Sequence, residues 1–298
     1  MLRIISMCLF LFFIVSCDEK NNHPKNLVRD IINPPRDDSK PEPKPKPLCD
    51  KYCDTKTKLI NEVDRYSYMS FVNFGYRGIG RCRGHAIITQ NLSHLANYDP
   101  TDNSCIGSKY YSECAYSAIE KLKMIFKYQA QKINGFPDIL SMSKHPRIKE
   151  YLKMRVRSIS HKYSARPVAI KNPQSDNEFV NIFYEIQRRI DLKHEPYIGV
   201  KGFNLGDHAL LGYEYKNNEY GPSICVRDSN YIPKFGLDCD SFLFLEAGEV
   251  FYKRADLAPT KLFVFNLMTD EDTRVNNYKK AQRRYCMRTA PLNGDCRL

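Results

Sequence analysis

Eleven cysteines are spread through this 298-residue chain, and their arrangement limits its possible folds more than any other feature. Cys8 and Cys17 lie within or beside the first apolar stretch. Eight others form an even set: Cys49, Cys53, Cys105, Cys114, Cys225, Cys239, Cys286 and Cys296. Cys82 stands apart, in Gly80-Arg81-Cys82-Arg83-Gly84. In an exported chain an even set reads as disulfides. Chain order favours sequential partners: Cys49–Cys53, Cys105–Cys114, Cys225–Cys239 and Cys286–Cys296. Eight cysteines allow about a hundred connectivities, so order gives only a preference. The short Cys49–Cys53 loop makes that pair the weakest of the four. If all eight pair, Cys82 is the one free thiol.

Export is expected from the N-terminus. Met1 to Ser16 is apolar, with one charge at Arg3. It is too short to span a membrane comfortably and reads as a secretion signal. It ends Ile14-Val15-Ser16-Cys17, followed at once by Asp18-Glu19-Lys20. This resembles a bacterial lipobox, which implies a lipid on Cys17 and a place on the periplasmic or cell-surface face of a bacterial membrane. A plain cleaved signal with a nearby cysteine is the alternative. Residues 17–48 then form a tether, with Lys40-Pro41-Glu42-Pro43-Lys44-Pro45-Lys46-Pro47 in an extended polyproline-type spacer. The three parts are therefore 1–16 (signal), 17–48 (anchor and tether) and 49–298 (domain).

The chain carries 46 Lys+Arg against 34 Asp+Glu, a formal charge of +12. An exported chain rarely meets nucleic acid, so none is expected as a partner. Anionic lipid, cell-wall polymer or an acidic substrate fits better, beside the plain reading of a solvated basic surface. The run Lys279-Lys280-Ala281-Gln282-Arg283-Arg284 reads as such a face.

Helical spacing marks Asp54 to Met69, Cys82 to about Ala96, Ala115 to Lys132, Pro146 to Ser158 and Asp176 to Leu192. Later segments are short and rich in Val, Ile, Leu, Phe and Tyr: Pro196–Gly202, Ala209–Tyr215, Ser223–Arg227, Ser241–Leu245 and Lys261–Phe265. They read as antiparallel strands. Helices first and strands later give an α+β chain with two segregated parts.

The chemistry lies in three residues. Cys82 opens a helix. His208 sits in Gly206-Asp207-His208-Ala209-Leu210-Leu211-Gly212-Tyr213. The next strand ends Val226-Arg227-Asp228-Ser229-Asn230. A thiol at a helix start, flanked by Arg81 and Arg83, is placed to ionise. A histidine can pair with it, and Asp228 or Asn230 can orient that histidine. Asp228 is favoured, because Ser229-Asn230 reads as the turn that ends the strand. Gly80 and Gly84 are expected to let backbone and substrate approach. His85 could be a base or a substrate contact, with a packing role the plainer reading. Cys82 and His85 as zinc ligands would need a second pair at metal spacing, and the sequence offers none.

These residues resemble the papain-like cysteine peptidases, notably secreted bacterial members with Gly-x-Cys-x-Gly before the helix and a His-Ala-aliphatic-aliphatic-Gly-Tyr strand. The resemblance covers roughly residues 55 to 250. It implies a papain-like α+β fold, with Cys82 on a helical part and His208 and Asp228 on a β part. It also implies hydrolysis of a peptide or amide through an acyl-thioester, with no cofactor. The family's glutamine before the cysteine is missing here. Asn73 is the nearest amide side chain and is the candidate oxyanion donor, beside the Cys82 backbone N–H. Two other classes stay open: a transglutaminase-like acyltransferase and a non-catalytic binding lipoprotein.

Overall fold

Six strands follow one another as antiparallel neighbours: β3 (Tyr197–Gly202), β4 (Gly206–Asn218), β5 (Gly221–Asp228), β6 (Ser241–Glu246), β7 (Glu249–Arg254) and β8 (Thr260–Leu267). β8 pairs back onto β3, with Val200 opposite Phe265, so the sheet closes as a barrel. The computed structural model describes residues 53, 68–73, 81–108, 111–163, 175–203, 205–231, 239–267 and 270–289. Alternation along the strands sorts their side chains. Ile198, Val200, Leu210, Ile224, Val226, Leu243 and Phe265 make one core. Tyr197, Ala209 and Leu211 face the other way, toward Cys82, Ala86 and Ile87. The tight β6–β7 hairpin places Ala247 at φ 50 and Gly248 at φ 86, the paired positive angles of a two-residue turn.

The barrel core is covered by α5 (Asp176–Asp191), whose Phe179, Phe183, Ile186 and Ile190 form one stripe. Ser175 caps this helix by accepting the Glu178 N–H at 3.3 Å. The helical part holds α1 (Cys82–Leu95), α2 (Tyr111–Ile125), α3 (Ile139–Lys144) and α4 (Pro146–Tyr163). A short parallel pair, β1 (Ala96–Tyr98) and β2 (Gln131–Ile133), lies among them. Their core includes Ile88, Leu92, Leu122, Ile125, Phe136 and Leu152. After the barrel, α6 (Glu271–Thr289) returns to this part and adds Tyr278 and Ala281 to its core.

The structure corrects the expected fold. The α+β character holds only in that coarse sense, and the papain-like fold does not: the strands form a closed six-stranded antiparallel barrel. β7, absent from the strand reading, joins β6 to β8. Its Lys253 and Arg254 broke the apolar pattern, although Val250 and Tyr252 are buried. The two parts are not segregated in sequence either, since α6 follows the strands. Its basic stretch is a solvated face only in part. Lys279, Lys280 and Arg284 are exposed, whereas Ala281 and Gln282 are buried against α1. Helix α2 stops at Ile125, and part of the remaining predicted stretch is β2. The helix expected from Asp54 falls outside the described residues up to position 67, and Tyr68 and Met69 are not helical.

Among the described residues there are three disulfides: Cys53–Cys286, Cys105–Cys114 and Cys225–Cys239. The last two are the expected neighbours. The first overturns Cys49–Cys53 and Cys286–Cys296, because α6 carries Cys286 back to the start of the domain. Cys49, Cys296 and Cys17 lie outside the described residues. Three disulfides are consistent with an exported protein. Among the described residues, no helix is long and apolar enough to cross a membrane.

Candidate functional site

Helix α1 is buried on almost every side. Gly84 faces α4 so closely that an added Cβ would lie 2.3 Å from the Val156 carbonyl oxygen and 2.4 Å from Ser160 Oγ. This glycine therefore serves helix packing rather than substrate approach, and Gly80 lies outside the described residues. On another side, Gln90 Nε2 donates to the Glu195 backbone oxygen at 2.6 Å and to Glu271 of α6 at 3.1 Å. Tyr278 donates its hydroxyl to Asn91 Oδ1 at 2.7 Å. Gln90 and Asn91 of α1 thus find their partners inside the protein.

This bracing fixes the N-terminal end of α1. Arg81 occupies the cap position without a side-chain cap bond, and the first turn holds no acidic residue. The first backbone N–H groups have no partner within the helix and carry the positive end of its dipole. Cys82, 4 % exposed, is the free cysteine among the described residues. Its thiol is buried among Ala86, Tyr197, Ala209 and Leu211.

The barrel supplies the partners. Asp228 on β5 stands opposite Leu210 on β4, two residues along from His208, so His208 and Asp228 are diagonal neighbours across the two strands. His208 donates its Nε2–H to Asp228 Oδ1 at 2.6 Å. The other ring nitrogen is left to the Cys82 thiol, with which His208 also hydrogen-bonds. Asp228 Oδ1 accepts the Asn230 backbone N–H at 2.7 Å as well. Its Oδ2 accepts the Tyr252 hydroxyl at 2.5 Å and Arg254 Nη1 at 3.4 Å.

Burial opposes every charge here, and the partners overcome it. Burial alone would lower the His208 pKa, but the Asp228 carboxylate and then Cys82 push it up to about 10. Burial likewise opposes the Asp228 carboxylate. The His208 charge and hydrogen bond, then Tyr252 and the Asn230 N–H, hold it far below the usual carboxylate range. Burial would raise the Cys82 thiol, yet His208 and the backbone N–H groups of Ala209 and Arg83 bring it below its ordinary value. Both shifts act in favour of a thiolate paired with an imidazolium, the form needed for nucleophilic attack.

Asn73 is tied to the residues just after Asp228. Its backbone N–H donates to the Ser229 carbonyl at 2.6 Å and its Nδ2 to Asn230 Oδ1 at 3.2 Å. Among the described contacts, none joins it to Cys82. Asn230 therefore engages Asn73 through its side chain, while Asp228 engages His208. His85 is a packing residue: it donates its Nε2–H to the Phe71 carbonyl at 3.1 Å and meets the Phe71 ring edge-on. Burial lowers its pKa to about 4, so it is neutral at neutral pH. Thr89, Leu211 and Asp228 join His85 and Phe71 around a cavity of about 50 Å³. Among the described residues, no three His, Cys, Asp or Glu side chains are grouped to hold a metal.

Sequence reading missed Tyr252 and Arg254. Their only signal was the period-2 spacing of Val250, Tyr252 and Arg254, hidden by the charges beside them. It also passed over His94 and His145, which are buried. No family model, no curated protein and no solved structure matches this chain.

Proposed function

We propose that the protein is an exported thiol hydrolase acting on a peptide or amide carbonyl. The observation that carries this reading is the chain of bonds from Cys82 to His208 to Asp228 at the N-terminal end of α1. The Cys82 thiolate attacks the carbonyl carbon. The resulting oxyanion is met by the backbone N–H of Cys82 at the positive end of the helix. His208 gives its proton to the leaving amine, the C–N bond breaks, and an acyl-thioester remains. A water molecule then attacks the thioester while His208 takes its proton, and the acid leaves with the thiolate restored. Asp228 holds the imidazole in position and favours its charged form. No step calls for a cofactor.

A lipid on Cys17 belongs to the same proposal and would hold the enzyme at a bacterial membrane surface. Replacing Cys17 with Ser should release the protein from the membrane fraction or leave it unprocessed. A wild-type protein that fractionates as soluble, with no lipid mass on its N-terminal peptide, would end that part of the reading.

The catalytic part is tested with an electrophilic probe for cysteine hydrolases, followed by peptide mapping. Folded wild type should be labelled at Cys82, and the His208→Ala protein should react far more slowly. Full hydrolytic activity in Cys82→Ala on any identified substrate would overturn the reading. Transfer of the acyl group to an added primary amine in preference to water would make the enzyme an acyltransferase.

A further inference from the structure

We propose that Tyr252 and Arg254 are positioning residues that clamp Asp228 from the next-but-one strand and so set the pH range over which Cys82 is a thiolate. The inference rests on the Cys82–His208–Asp228 reading above and extends it outward.

The barrel creates the need for such a clamp. The β5–β6 ladder runs over Ser223, Ile224 and Cys225, and its last pair is Cys225 with Phe242. Asp228 lies three residues beyond that pair, so no β6 residue is paired beside it. β7 bridges this gap. Tyr252 and Arg254 are two residues apart on one strand and project to the same side. Tyr252, 2 % exposed, is packed in the barrel core and ends in a hydroxyl on Asp228 Oδ2. Burial first, and then Asp228, raise its pKa far above the ordinary phenol value, so it remains a proton donor.

Arg254 is itself held. Its Nε and Nη2 donate to Asp256 at 2.6 and 3.2 Å, and its guanidinium lies 5.5 Å from the Tyr231 ring centre. Its Nη1 then faces Asp228 Oδ2 at 3.4 Å. Among the described residues, the ionisable groups around Asp228 include His208 from β4, Tyr252 and Arg254 from β7, Asp256 just after β7, and His85 from α1, which is neutral at neutral pH. Two donors on Oδ2 satisfy the oxygen that His208 does not use. They fix the carboxylate plane and leave Oδ1 directed at the imidazole. A carboxylate free to rotate or to take a proton would pair less well with His208, and the imidazolium beside Cys82 would be less favoured.

The test is the rate of Cys82 alkylation by iodoacetamide as a function of pH, measured on the full-length oxidised protein. This readout needs no substrate. Wild type should react as a thiolate well below the ordinary thiol midpoint. Tyr252→Phe keeps the ring and its packing, and should move the acid edge up by about one pH unit. Arg254→Gln should move it in the same direction by less, and Arg254→Lys should recover part of the loss. A Tyr252→Phe profile that superimposes on wild type, with circular dichroism unchanged, overturns the clamp and leaves the thiolate–imidazolium pair standing. A wild-type profile with an ordinary thiol midpoint overturns the pair itself, and the clamp with it.

Discussion

Cys53 and Cys286 are joined by a disulfide across 233 positions of sequence, tying α6 to the start of the described domain. Among the described residues it closes by far the longest loop; the other two disulfides span 9 and 14 positions. A long loop loses most unfolded-state entropy when closed.

Cys286→Ser is therefore expected to destabilise the protein by about 3–5 kcal/mol, and Cys105→Ser by less. Denaturant titration of the two variants measures the order. Non-reducing peptide mapping should recover a peptide containing Cys53 and Cys286. Recovery of Cys53 bound to Cys49 would refute the pairing.

Asp228 and Asn230 lie two residues apart, but only the first bonds to the histidine side chain. Asp228→Ala should lower kcat about 10³–10⁴-fold, since the imidazole loses both its orientation and its counter-charge. Asn230→Ala removes the partner of Asn73 and should change kcat by no more than about tenfold. The reverse order in steady-state kinetics would show that the wrong residue has been given the orienting role.

The raised pKa of His208 has a direction in pH. Its folded value is about 10, against about 6.5 in the unfolded chain. Its imidazolium therefore contributes stability that is fully present below pH 6.5 and is lost as pH rises through about 10. Hydrolysis should fall over that upper range, because the leaving amine loses its proton donor. Asp228, whose pKa is depressed, adds stability above about pH 3.9 that is lost on acidification. A kcat/KM profile that already declines above pH 7 would contradict the pairing.

Gly84 lies where α1 and α4 touch. Gly84→Ala would place a methyl group against the Val156 carbonyl, a backbone atom that cannot swing aside. A loss of about 1–3 kcal/mol is expected, together with slower Cys82 alkylation as the first turn is displaced. Thermal melts and alkylation rates check this. An unchanged melting temperature would mean that the helices separate at little cost.

Much of this was legible in the sequence, and for physical reasons. Periodicity located α1, α4 and α5 to within a few residues, because each buries an apolar stripe. The pair His208 and Asp228 could be read because strand alternation and a tight β4–β5 turn bring them together locally. The closing of the barrel could not be read, since it depends on β3 meeting β8 across more than sixty residues. The Cys53–Cys286 link was hidden for the same reason. α6 is mostly polar in sequence, and its buried face mixes Val275, Ala281 and Cys286 with Glu271, Tyr278 and Gln282, which bond to partners on α1, and Arg274, which bonds to Glu271. A hydrophobic pattern does not reveal such a helix. The bonds of Asn73 to Ser229 and Asn230 were not legible either, because they join residues more than 150 positions apart.

The bracing of α1 by α6 also bears on timing. Glu271, Tyr278 and Gln282, which bond to the helix that presents Cys82, follow their partners on it by 181 to 188 positions. Chains are made from the N-terminus, so Cys82 emerges well before these partners. Its orientation toward His208 is completed only when the barrel has closed and α6 has docked. The surroundings of the Cys82 thiol are thus completed by contacts far apart in sequence, and α1 is made well before the residues that hold it in place.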